Sequence, residues 1–84
     1  MGVLQTKRQS SIIIGQRLKN IREKENYSLE KIAKFLGLSS SEVEALEYGE
    51  TSPPDISYIN RLAEFYGVNV NYFIKGVECY KDDA

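Results

Sequence analysis

Residues 28–49 read SLEKIAKFLGLSSSEVEALEYG, and the way this stretch folds decides the rest of the chain. Leu29, Ile32, Ala33 and Leu36 recur at i, i+3, i+4 and i+7, the spacing of one helix face. Gly37 follows at once, and glycine enters the left-handed conformation that ends a helix at little steric cost. Leu38 returns to the interior, and Ser39 or Ser40 offers a side-chain oxygen to the first amides of a second helix. That helix sets Val43 and Leu46 on an apolar side with Tyr48 at its edge, and Gly49 closes it. The stretch therefore predicts two short amphipathic helices joined by a tight glycine turn. Their apolar faces need a scaffold to pack on.

The flanking sequence supplies one. Upstream, Ile14, Leu18 and Ile21 share a side with Ile13 or Arg17 and predict a helix over residues 11–24. Asn26 ends it, and Tyr27 packs back onto the core before Ser28 caps the next helix. Lys31 stands at the third position after Ser28, so no reciprocal capping box is expected there. Residues 1–11, MGVLQTKRQSS, show no sustained period and are expected to form a flexible N-terminal arm. Downstream, residues 50–54 end in Pro53 and Pro54, which halt regular structure. Asp55 or Ser57 then starts a helix carrying Ile56, Ile59, Leu62, Ala63 and Tyr66, and Gly67 stops it. Val68 plugs the core, and Asn69 caps a last short helix whose apolar part is Tyr72, Phe73 and Ile74. Residues 77–84, VECYKDDA, are expected as a polar C-terminal tail. No strand is required, so the predicted fold is an all-α, compact five-helix domain over residues 12–76.

Composition narrows the function classes. Eighty-four residues allow one domain with a modest core, where a partner can matter to stability. The single cysteine, Cys79, cannot form an internal disulfide, which fits a reducing, cytoplasmic setting. No apolar run approaches the ~20 residues needed to span a bilayer, and no membrane partner is expected. Histidine is absent, a zinc site lacks ligands, and no glycine-rich phosphate loop occurs, so neither an enzyme nor a cofactor or metal is expected. Net charge is −1, yet its distribution is polarised: residues 1–35 carry net +5 and residues 36–84 net −6. Such a chain can turn a basic face toward phosphate while its far side stays acidic.

Four segments in order now carry a resemblance: IGQRLKNIREKENYS, LEKIAKFLGLS, VEALEYGETSP and LAEFYGVNVNYFIKG. Together they resemble the lambda-repressor-like, Cro-type (Xre) helix-turn-helix family in its phage-type repressor form, over residues 13–76. The resemblance implies a sequence-specific DNA-binding transcriptional regulator, a repressor acting as a homodimer on a palindromic operator. It implies that the third helix enters the major groove of double-stranded DNA, with Ser39, Ser40, Ser41, Glu42, Glu44 and Ala45 facing it. Serine hydroxyls donate or accept at several bases, and glutamate accepts from cytosine N4. Ser28 and Lys31 flank the second helix as phosphate contacts, and Tyr48, Thr51 and Ser52 offer further hydroxyls to the backbone. Lys7 and Arg8 of the arm are placed to reach a phosphate or a minor groove. Arg22 and Glu47 match a family pair that forms an internal salt bridge between the first and third helices. Tyr72 and Phe73 are the expected anchors of the dimer interface.

Three positions depart from the family pattern. Leu29 replaces a phosphate-contacting glutamine, Glu50 stands where a basic residue is common, and Glu42 joins Glu44 in placing acid on the groove-facing helix. These departures motivate a second reading, a protein-interaction module or antitoxin-like component that keeps the fold with weakened DNA contacts and takes a protein partner.

Overall fold

The computed structural model describes residues 6–80. Its helices are α1 (Lys7–Lys24), α2 (Leu29–Leu36), α3 (Ser40–Glu47), α4 (Ile56–Tyr66) and α5 (Asn71–Ile74), followed by a 3-10 turn at Glu78–Tyr80. No strand occurs among the described residues, and the all-α, five-helix expectation holds.

Helix α1 starts earlier than its apolar period indicates. Thr6 is the N-cap: its side chain accepts from the Gln9 N–H at 3.1 Å, while Gln9 Oε1 accepts from the Thr6 N–H at 2.8 Å. This capping box satisfies two amide donors that would otherwise lack partners. Lys7 and Arg8, expected in a flexible arm, are thus first-turn helical residues. Ser10 and Ser11 are buried, and Ser11 Oγ donates to the Lys7 carbonyl at 2.9 Å. The rest of the expected arm lies outside the described residues.

The α2–α3 turn forms as its residues require. Ser28 Oγ accepts from the Lys31 N–H at 3.1 Å, and α2 ends at Gly37 with φ of +74°. Ser39 then caps α3, accepting from the Glu42 N–H at 3.1 Å, while Glu42 Oε1 accepts from the Ser39 N–H at 2.9 Å. Helix α1 crosses α3 closely enough that a Cβ built on Gly15 would lie 2.4 Å from the Leu46 and Glu47 carbonyl oxygens. Only a residue without a side chain permits that approach.

The core gathers Ile14, Ile59, Phe73 and Val77, all fully buried, with Leu18, Ile21, Ile32, Leu36, Val43 and Leu62 around them. Every helix contributes to it. Tyr27, Phe35, Phe65 and Tyr66 form an aromatic cluster with ring centroids 4.6–6.0 Å apart, tying α2 to α4.

The C-terminal expectation is revised. Val77 is only 1% exposed, and the 3-10 turn brings the Tyr80 hydroxyl to donate to the Pro54 carbonyl. Residues 77–80 therefore belong to the packed domain, while residues 81–84 lie outside the described residues. Asn69 does not occupy the N-cap of α5. Val70 does, and Asn69 Oδ1 accepts from the Asn71 N–H at 2.8 Å.

Candidate nucleic-acid interface

A bidentate ion pair sets the position of α3. Arg22 Nε donates to Glu47 Oε2 at 2.6 Å and Arg22 Nη2 to Glu47 Oε1 at 3.0 Å, joining α1 to the last turn of α3. Arg22 Nη1 also donates to the Tyr27 carbonyl at 2.8 Å, so one guanidinium fixes α1, α3 and the entry to α2. The Glu47 side chain is 3% exposed. Its hydrogen bonds hold the Arg22 pKa above the ordinary arginine value, against the opposing effect of burial. Glu47 is thereby structural, as the resemblance implied, although it sits on the exposed helix pair.

With Glu47 turned inward, the opposite face of α3 is left open. Ser39, Ser41, Glu42 and Glu44 are exposed, while Ser40 and Ala45 are half-buried. Ser41, Glu42 and Ala45 line an open groove of about 380 Å³ together with Thr51 of the α3–α4 loop. Leu38, Leu46, Pro54 and Tyr58 give it an apolar floor, which sequence reading did not anticipate because they come from four separate segments. Thr51 and Ser52 are exposed, and Thr51 Oγ1 donates to the Ser52 carbonyl at 3.2 Å.

Tyr48, at the C-cap of α3, is 56% exposed and lies under the Lys19 ammonium, 4.9 Å from the ring centroid. This cation–π contact brings a lysine of α1 to the end of α3. No sequence spacing signals it, since the pair is tertiary. Ser28 and Lys31 are exposed on α2, but Lys31 lines a separate shallow depression with Lys34, Phe35 and Phe65. The structure therefore gathers Ser41, Glu42, Ala45 and Thr51 and leaves Lys31 outside that groove. Glu42 has a second duty: its carboxylate accepts the Ser39 N–H at the positive end of α3, which offsets part of its charge.

The expected dimer anchors separate. Tyr72 is 41% exposed on α5, whereas Phe73 is 0% exposed. Phe73 fills the core and offers nothing to a second chain, which corrects its placement at an interface. On this four-residue helix Asn71 and Tyr72 face outward, and the next position, Phe73, turns into the core.

Residues 15–78 match the profile described as a helix-turn-helix domain. The chain belongs to the helix-turn-helix family. Within it the chain is of the Xre/Cro type. It is 30% identical over 70 residues, 83% of its own length, to the SPbeta prophage-derived uncharacterized HTH-type transcriptional regulator YonR of Bacillus subtilis (strain 168). The chain spans 64% of that relative's length. Among solved structures it is similar to the restriction-modification controller protein C.AhdI from Aeromonas hydrophila, at 25% identity and a TM-score of 0.71. That match covers 82% of this chain and 99% of the controller protein. No helix among the described residues is long and apolar enough to cross a membrane.

Proposed function

We propose that this helix-turn-helix protein is a sequence-specific transcriptional repressor that occupies a palindromic operator as a homodimer in the cytoplasm, without catalysis. The observation that carries this reading is the open face of α3, locked outward by the buried Arg22–Glu47 pair. Ser39, Ser40, Ser41, Glu44 and Ala45 are its candidate base-facing residues, with Glu42 serving both cap and groove. Ser28, Lys31, Tyr48, Thr51 and Ser52 are the candidate backbone contacts, joined by Lys19 through its stack on Tyr48. YonR, by name a transcriptional regulator, and C.AhdI, a restriction-modification controller, support regulation as the role.

The test is fluorescence anisotropy with a labelled duplex from the region upstream of the protein's own gene, against a mixed-sequence duplex at moderate salt. Specific regulation predicts a preference of about 10³-fold or more for the true operator. Equal affinities for the two duplexes would overturn it. The apolar floor at Leu38, Leu46, Pro54 and Tyr58 favours a second reading, an interaction module with a protein partner. A stable protein complex formed without DNA retention would select that reading instead.

A further inference from the structure

The segment after α5 reaches back to the loop that borders the groove. Val77 is buried and its N–H bonds to the Ile74 carbonyl at 2.9 Å, which fixes the direction of the 3-10 turn that follows. From that turn the Tyr80 hydroxyl donates to the carbonyl of Pro54, 26 positions earlier in sequence. Pro54 stands between two surfaces. On its front it lines the groove with Ser41, Ala45 and Thr51. On its rear it lines a depression with Ser52, Pro53, Cys79 and Tyr80. Pro53 and Pro54 lack amide hydrogens, so this loop has few backbone donors with which to order itself. Its ends are held, at Glu50 by a bond to the Ala45 carbonyl and at Asp55 as the N-cap of α4. From another element, Tyr80 grips the loop at the Pro54 carbonyl, one residue before the N-cap of α4 and two after Ser52.

We propose that Tyr80 is a positioning residue for DNA binding, holding the loop from behind so that the Thr51 and Ser52 hydroxyls meet the phosphate backbone beside α3. The inference rests on reading Thr51 and Ser52 as phosphate contacts. A loop ordered before association loses less conformational freedom on binding, so the tether raises affinity without touching DNA. Phosphate contacts carry no sequence information, so the gain applies equally to operator and non-operator duplexes. The salt dependence stays unchanged, because it follows the number of phosphates neutralised by cations and Tyr80 carries no charge.

The experiment uses the full chain and the labelled upstream duplex at low salt, where phosphate contacts alone give measurable affinity. Tyr80→Phe is expected to bind about three- to tenfold more weakly, the range of one neutral hydrogen bond. The slope of log affinity against log salt and the preference over mixed-sequence DNA should match the wild type. In a Thr51→Val/Ser52→Ala background, the same Tyr80→Phe change should cost nothing further, since the contacts it positions are gone. A merely structural tyrosine would weaken both backgrounds alike, and that result overturns the proposal. So does a Tyr80→Phe protein that binds like the wild type while Thr51→Val/Ser52→Ala is weakened. If the loop variant itself binds like the wild type, the phosphate role and the tether fall together. Equal wild-type affinity for upstream and mixed-sequence DNA instead removes the operator, and the tether is still read on the affinity common to both. Circular dichroism at the assay temperature confirms that each variant compared is folded.

Discussion

Glu47 gives both carboxylate oxygens to Arg22, and the two side chains are only 3% and 12% exposed. Removing the carboxylate leaves a buried guanidinium with one remaining carbonyl partner at Tyr27. Glu47→Ala should therefore lower stability by about 3–5 kcal/mol in urea unfolding. Replacing both partners with apolar residues of similar volume, as in Arg22→Met/Glu47→Leu, should cost much less than the single change, because no charge is stranded. Tyr66 lies beside this pair, and burial pushes its pKa up to about 12 from the ordinary 10.0. The folded state thus holds the phenol proton more tightly than the unfolded chain. Its contribution is fully present below pH 10.0 and is lost as pH rises toward about 12. Urea midpoints should fall across that window, and Tyr66→Phe should flatten the fall. Among these residues, the Arg22–Glu47 pair was legible from the family resemblance. The dual duty of Glu42 was not, although S-x-x-E at residues 39–42 is a capping-box sequence. Reading Glu42 only as a groove-facing acid overlooked the amide it serves.

At the scale of elements, the crossing of α1 on α3 depends on one missing side chain. Gly15→Ala would press a methyl into two carbonyl oxygens of α3, backbone atoms that cannot rotate away. A destabilisation of at least about 1–3 kcal/mol is expected in a thermal or urea melt, despite the better helix propensity of alanine. Apolar spacing located α2, α3 and α4 well, because each buries a face at regular intervals. It located the start of α1 poorly. The first turn of α1 is held by Thr6 and Gln9, whose T-x-x-Q spacing is a polar signal that an apolar period does not register. The end of the domain was missed for the opposite reason. Val77 and Tyr80 are isolated among polar residues, so no periodicity marks them, yet tertiary contacts place both against the core. Phe73 shows the limit at an element too short for a face to be defined by pattern. Phe73→Ala should cost about 3–5 kcal/mol as a core truncation rather than weaken self-association.

Across the whole molecule, the two-fold arrangement expected of a repressor needs a surface, and Tyr72 remains the exposed candidate on α5. Tyr72→Ala should shift sedimentation equilibrium toward monomer and leave the melting temperature of the monomer little changed. A wild-type protein that stays monomeric at high micromolar concentration would remove that role. The basic half of the chain also divides in a way that net charge conceals. Of the four arginines in the whole chain, Arg22 is committed to Glu47 and Tyr27, Arg17 donates to the carbonyls of Phe73 and Lys75, Arg61 donates to that of Phe35, and Arg8 is exposed in the first turn of α1. The exposed positive charge available to a polyanion is therefore carried largely by lysines such as Lys7, Lys24, Lys31 and Lys34. Lysine is a mobile point charge, whereas the planar arginine fork suits fixed geometry. The fold and its attraction to nucleic acid thus answer to different chemical reagents. Exhaustive acetylation of the amines should abolish DNA retention while the helical circular dichroism spectrum survives. A dicarbonyl reagent selective for guanidinium groups should unfold the protein as it reacts.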